Sequence, residues 1–172
     1  MHLKSNKLMA ATNYMLDEVN EIYLNCRNVL IQNRVFQWDD QYPNKEYFKE
    51  CIENECLFVL MNDSKIIGHV VLNEWEPEEW ELVTWQASNP IIIHSLMVDP
   101  RFQGRGVGKD FVRRCKEFAI EKEYNSIRLD AFSGNEKAIR LYHQLGYEKR
   151  GSVSFKSKPE GHREYICFEK TL

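Results

Sequence analysis

The chain has 172 residues, 43% hydrophobic and 28% charged, a make-up that fits one globular domain over 1–172 and excludes a disordered, collagen-like or low-complexity chain. Lys plus Arg number 23 against 26 for Asp plus Glu, a net charge of −3 that supplies no surface for a polyanion, so no nucleic acid partner is expected. The opening residues lead into no signal-peptide run, no uncharged apolar stretch of about 18 residues occurs, and the five cysteines (Cys26, Cys51, Cys56, Cys115, Cys167) lack a C-x-x-C pair. The expectation is a cytoplasmic protein with reduced thiols, no membrane association and no metal.

Tyr14 to Ile31 sets Leu16, Val19, Ile22, Tyr23, Cys26, Val29 and Leu30 at three- and four-residue steps, which predicts an amphipathic helix. Residues 36–43 lose that period and end in Pro43; Tyr47, Phe48, Cys51 and Ile52 then recover it, giving a loop and a short second helix. Cys56 to Met61 and Ile66 to Leu72 are apolar runs around the turn residues Asn62-Asp63-Ser64, a β-hairpin. Ile91 to Val98 alternates too little to have a wet face and reads as a central strand. A third helix is expected from about Gly106 to Lys122, a strand from Ser126 to Phe132, and a fourth helix from Asn135 to Leu145 with a capping box at Ser133-Gly134-Asn135-Glu136. Strand, helix, strand makes a parallel crossover. Strands near Tyr147 to Phe155 and Arg163 to Glu169 close the chain. The class is α/β (α+β): a mixed central sheet of about six or seven strands flanked by about four helices.

The chemistry concentrates in Val98-Asp99-Pro100-Arg101-Phe102-Gln103-Gly104-Arg105-Gly106-Val107-Gly108-Lys109. A buried strand runs into three glycines that open a helix, an arrangement that points backbone N–H groups and a helix N-terminus at an anion such as a pyrophosphate. A tight strand-to-helix turn is the plainer alternative. The Walker A pattern fails, because Gln103 stands where its first glycine belongs and Asp110 where Ser or Thr would bind magnesium; the dinucleotide fingerprint fails for want of its third glycine.

Gln103-x-x-Gly106-x-Gly108 does match the Q/R-x-x-G-x-G/A pattern of the GNAT superfamily of acetyl-CoA-dependent N-acetyltransferases. Asn135-x-x-Ala138-x-x-Leu141-Tyr142-x-x-x-Gly146-Tyr147 resembles a second segment of that family, in the right order. The resemblance implies that the central strand splays from the next parallel strand and that pantetheine lies in the gap against backbone groups of Leu96, Met97 and Val98, one N–H of which polarises the thioester carbonyl. It implies that backbone N–H groups of Gln103, Gly104, Arg105, Gly106, Val107, Gly108 and Lys109 hold the pyrophosphate, that Asn135 holds the pantetheine arm, and that Tyr142 directs its hydroxyl at the sulfur. A phenol with an ordinary pKa near 10 suits that place, since it stays protonated at neutral pH and can donate to a departing thiolate.

The family's usual base does not transfer, because this chain carries Ile92, His94 and Ser95 where other members place a carboxylate. His94, as an imidazole titrating near neutrality, is the residue expected to relay the amine's proton; a hydrogen-bonded structural histidine is the alternative. His69 and His143 are weaker choices. Trp38, Asp39 and Asp40 lie in the first inter-helix loop, which often lines the acceptor site in the family, and would favour a cationic amine. Glu74 to Glu81 carries five glutamates in eight positions and reads more readily as a solvated loop than as part of that site. Lys109, Arg113, Arg114 and Lys116 could meet the 3′-phosphate of CoA.

The function expected is N-acetyl transfer from acetyl-CoA to a primary amine, of a small molecule or a peptide, by direct attack in a ternary complex. The alternative is a catalytically silent acyl-CoA-binding module acting through a protein partner, which an intact Tyr142 disfavours. A monomer and a homodimer are both compatible with the chain.

Overall fold

Residues 5–172 are described by a computed structural model. The two helix periods become α1 (Leu16–Gln32), entered through a 3₁₀ turn at Asn13–Met15, and α2 (Lys45–Glu53), whose N-cap Asn44 accepts from the Tyr47 N–H at 2.9 Å. Such a cap stabilises a helix by about 1 kcal/mol. The remaining helices are α3 (Val107–Glu121) and α4 (Glu136–Gln144). The capping box expected at Ser133 does not form. Asn135 is itself the cap and accepts from the Ala138 N–H, because the chain reaches helical geometry only after it.

Among the described residues, seven strands make one sheet in the order β1-β2-β3-β4-β5-β7-β6. They are β1 (Lys7–Ala10), β2 (Leu57–Asn62), β3 (Lys65–Asn73), β4 (Pro90–Val98), β5 (Ser126–Phe132), β6 (Glu148–Ser154) and β7 (Glu164–Thr171). β1 has no counterpart in the sequence reading: it is a four-residue edge strand whose side chains are mostly exposed, so it carries no alternating apolar signal. Every neighbouring pair is antiparallel except β4 and β5, as the crossover through α3 requires.

Helices α3 and α4 cover one face, where Phe111, Val112, Cys115, Ala119 and Tyr142 pack on Ile91, Ile93, Ile127 and Leu129. Helices α1 and α2 cover the other through Val19, Ile22, Tyr23, Phe48 and Cys51 on Val59, Val71 and Met97. Between β3 and β4 the chain makes a long excursion, residues 74–89, that leaves the hairpin end and folds over β5 and β7. There Trp80 is buried among Ile92, Phe132, Val153, Tyr165 and Cys167. The five cysteines stand as free thiols.

Candidate active site

β4 and β5 pair at three positions, Pro90 with Ser126, Ile91 with Ile127 and Ile92 with Arg128. Past these the two strands part. The backbone of β4 breaks its regular course at Ser95, which takes a left-handed φ of 51°, and its last residues remain paired only on the β3 side, Met97 with His69 and Val98 with Gly68. A parallel ladder that ends early leaves one edge of Ile93 to Val98 facing a cleft.

That cleft is the mouth of a cavity of about 1060 Å³. At one end Gly104 and Gly106 turn the chain with φ of 79° and 75°, and a side-chain carbon built on either would meet open space. Glycine is required there for backbone conformation and to leave room for a ligand. The Gln103 side chain donates to the Val98 carbonyl at 2.9 Å and pins the turn to the end of β4. Of the expected phosphate-binding run, Gln103, Gly104, Gly106, Val107, Gly108 and Lys109 line the cavity and Arg105 does not. Leu96, Met97 and Val98 line its middle.

Tyr142 faces the same space from α4, 7% exposed, with its ring against Tyr147 and Phe168. Burial pushes its phenol well above the ordinary value, so the hydroxyl keeps its proton at any physiological pH. Asn135 also lines the cavity, with both ends of its amide engaged: Oδ1 accepts from Ala138 and Nδ2 donates to Gln37 Oε1 at 2.9 Å.

His94 lines the cavity, but not as the sequence leads one to expect. Its Nε2 lies 2.8 Å from Asn73 Oδ1, its ring packs near Trp75, and burial lowers its pKa to about 4. An imidazole titrating near neutrality is therefore corrected to one that is neutral throughout the working range. His69 is more deeply buried, with Nε2 2.9 Å from the Val19 carbonyl oxygen and a pKa also lowered to about 4; His143 is exposed. From the first inter-helix loop, Trp38 and Gln37 reach the cavity, while Asp39 and Asp40 do not line it. The Asp39 carboxylate instead accepts from the Gln41 and Tyr42 N–H groups and closes a turn.

A carboxylate that does face the cavity from the sheet is Asp130 on β5, which the sequence motifs do not include. Its Oδ2 accepts from the Trp80 indole at 3.0 Å, and burial raises its pKa to about 6. A single ionisable residue inside the apolar run Leu129-Asp130-Ala131-Phe132 is the signal that could have found it. The glutamate-rich excursion is likewise more than a solvated loop. Glu78 and Glu79 line the cavity, Glu74 accepts from the Tyr124 hydroxyl, and Glu76 pairs with Arg128 at 2.6 Å. Glu169 holds the rest of it, accepting from the Gln86 and Ala87 N–H groups, Ser126, Arg128 and Arg150. Burial works to raise its carboxyl, but Gln86, Ser126, Ala87 and Arg128 hold it below the usual range.

A splayed parallel pair, a glycine turn opening α3 and a buried tyrosine facing the gap match what the two sequence motifs imply. The family model described as "Acetyltransferase (GNAT) family" matches residues 16–147. The chain belongs to the GNAT acetyltransferase family. Among curated relatives, this GNAT chain is 32% identical over 85 residues to thialysine N-epsilon-acetyltransferase of Mus musculus, covering 47% of this chain and 49% of that one. It is 27% identical over 97 residues to N-acetylaspartate synthetase of Homo sapiens, covering 56% and 29%. The chain thus spans about half or less of these relatives. A solved GNAT acetyltransferase of Streptococcus agalactiae superposes with a TM-score of 0.84 at 18% identity, covering 97% of this chain and 95% of that one, which shows the shared fold. Among the described residues, no group of His, Cys, Asp and Glu is placed to hold a metal and no helix is long and apolar enough to cross a membrane.

Proposed function

We propose that this chain transfers the acetyl group of acetyl-CoA to a primary amine by direct attack in a ternary complex. The observation that carries the reading is the cleft itself: unpaired β4 backbone, the glycine turn and the Tyr142 ring all face one cavity. The residues present fit the co-substrate. An extended pantetheine arm would run along Leu96 to Val98 as a strand would, and the diphosphate would rest on the turn from Gln103 to Lys109, with Lys137 and Arg140 on the same rim. Bound there, acetyl-CoA supplies an activated thioester.

The protein's part is positioning and proton traffic. Tyr142 gives its hydroxyl proton to the sulfur as the C–S bond breaks, a role that burial suits because the phenol does not ionise on its own. Asp130, ionised above about pH 6 and close enough to Tyr142 to raise that phenol's pKa, receives a proton from the amine as the C–N bond forms. His94, neutral and tied to Asn73, shapes the wall rather than carrying the proton. Of the two protons that an ammonium loses, one passes to solvent before attack and the other passes through Asp130 to restore the Tyr142 hydroxyl, whose own proton has gone to the sulfur. The names of the relatives, built on thialysine and aspartate, point to an amine nitrogen as acceptor.

The test is thiol release from acetyl-CoA across amines, amino acids and peptides, beside calorimetric binding of acetyl-CoA. Binding with turnover of at least one amine supports the reading. Binding without any turnover would favour the silent acyl-CoA-binding module.

A further inference from the structure

Beyond Tyr142 the cavity holds a cation that the transfer chemistry does not use. Lys158 lies in the β6–β7 connection, half-buried, and lines the cavity beside Ser157, Phe155 and Tyr165. Its Nζ donates to the Gln37 carbonyl at 2.8 Å and stands 5.5 Å from the centre of the Tyr42 ring. Asp39 and Asp130 act on it electrostatically, but neither is in ion-pair contact with it among the described residues. Burial correspondingly lowers its pKa. A partly desolvated ammonium whose carboxylates stop short of ion-pair contact is stabilised by a ligand that brings an anion against it.

Asp130 has the complementary character. Trp80 occupies Oδ2, and the carboxylate acts electrostatically on both Tyr142 and Lys158. A carboxylate and an ammonium that line one cavity without forming an ion pair with each other fit a ligand whose own two charges are opposite and adjacent. Trp38, Tyr42 and Phe132 supply apolar surface around them.

We propose that the acceptor is a free α-amino acid, bound as its zwitterion with the ammonium on Asp130 and the carboxylate on Lys158. This rests on the acetyltransferase reading and narrows it. A peptide N-terminus has a neutral amide where the carboxylate would be, which leaves Lys158 unpaired. A polyamine would bring a second positive charge toward it. Glu78 and Glu79 also line the cavity, yet both are exposed, where solvent weakens their pull on a cation.

The experiment compares matched acceptors with the full chain: common L-amino acids, each beside its α-amide and its decarboxylated amine. For at least one amino acid, kcat/KM should exceed that of both partners by about 10- to 100-fold, the scale of a hydrogen bond to a charged group. Lys158→Met should remove that advantage and leave the amide within about twofold of wild type, while Lys158→Arg should keep much of it. A panel in which every amino acid is matched by its amide or its decarboxylated amine overturns the proposal, with no variant needed. So does a Lys158→Met protein that loses acid and amide alike. If acetyl-CoA binds but no amine releases thiol, the acetyltransferase reading falls separately. Calorimetry of the matched pairs with CoA present then decides the site: tighter binding of the acid, lost in Lys158→Met, upholds it, and equal or absent binding overturns it.

Discussion

The Trp80 indole donates to Asp130 Oδ2 at 3.0 Å across fifty residues of chain. A side chain from the acidic excursion, itself packed in the core, thereby holds a carboxylate from β5 that lines the cavity. Trp80 is 2% exposed, so its N–H has no water to turn to, and Asp130 is kept from rotating away from the cleft.

The pH profile should report this pair. Asp130 accepts a proton only when ionised, so the rate should rise with pH up to about 6 on its account and then level, apart from the limb set by the amine's own ionisation. The groups facing it are Trp80 and Glu79 from the excursion, Lys158 from the β6–β7 connection and Tyr142 from α4. Asp130→Asn should abolish the lower limb and slow turnover by roughly 10² to 10³. Trp80→Phe removes a donor that favours the ionised form, so the limb should move to higher pH. A limb still near 6 in Asp130→Asn would assign it to another group.

Tyr142→Phe keeps the ring that packs on Tyr147 and Phe168 and deletes the hydroxyl. Acetyl-CoA should bind as in wild type while turnover drops roughly 10² to 10³. Calorimetry and initial rates on the same preparation check both halves. Full activity in this variant would leave the departing sulfur to take its proton from water.

Acid should loosen the fold through the two lowered histidines. His69 and His94 fall from the ordinary 6.5 to about 4, so the unfolded chain binds protons that the folded chain refuses. Their contribution is complete above pH 6.5 and is lost as pH falls toward 4. Between pH 7 and 5 each should cost roughly 1–2 kcal/mol, while Asp130, raised to about 6, returns about 1 kcal/mol over the same range. His69→Gln, whose amide can still donate to the Val19 carbonyl, should flatten the decline in urea unfolding free energy by its share. An equal slope in both proteins would place the sensitivity elsewhere. His94→Gln should leave the pH dependence of turnover above pH 6 unchanged.

Gly106 separates binding from folding. Its φ of 75° costs any residue with a side-chain carbon about 1–2 kcal/mol, yet nothing in the fold stands in the way of that carbon. Gly106→Val should fold with a lowered Tm and lose acetyl-CoA affinity by tenfold or more. Unchanged affinity in the folded variant would move the phosphate site off this turn.

How far the sequence could be read follows from the range of the interactions involved. α1, α3, the hairpin and the buried β4 declared themselves because their apolar periods are local, and Gly106 and Tyr142 because each belongs to a spaced motif. β1 escaped because Lys7-Leu8-Met9-Ala10 is an edge strand whose pairing to β2 is its only cue. Asp39 and Asp40 could not be placed because a carboxylate in a loop serves a turn as readily as a substrate; the bonds from Gln41 and Tyr42 put Asp39 in a turn, and neither residue lines the cavity. Trp80 and Lys158 were beyond reach for the opposite reason: their meaning lies in neighbours tens of residues away, and Asp130 showed only as a lone carboxylate in an apolar run.

Arg128 has two duties that bind the shape of the cleft to the shape of its wall. It is the β5 member of the last pair that holds β5 to β4, and its guanidinium, 9% exposed, grips Glu76, Glu169 and the Ala87 carbonyl while lying 4.6 Å from the Trp85 ring. Acceptor preference in this chain therefore cannot be altered by exchanging the excursion as an independent module. A transplanted wall that offers Arg128 no partners leaves a buried positive charge at the fork of the sheet, and the co-substrate groove inherits the damage. Selectivity and cofactor grip would drift together, and a second acceptor could be accommodated most economically by changes at the cavity rim that leave this arginine's ligands in place.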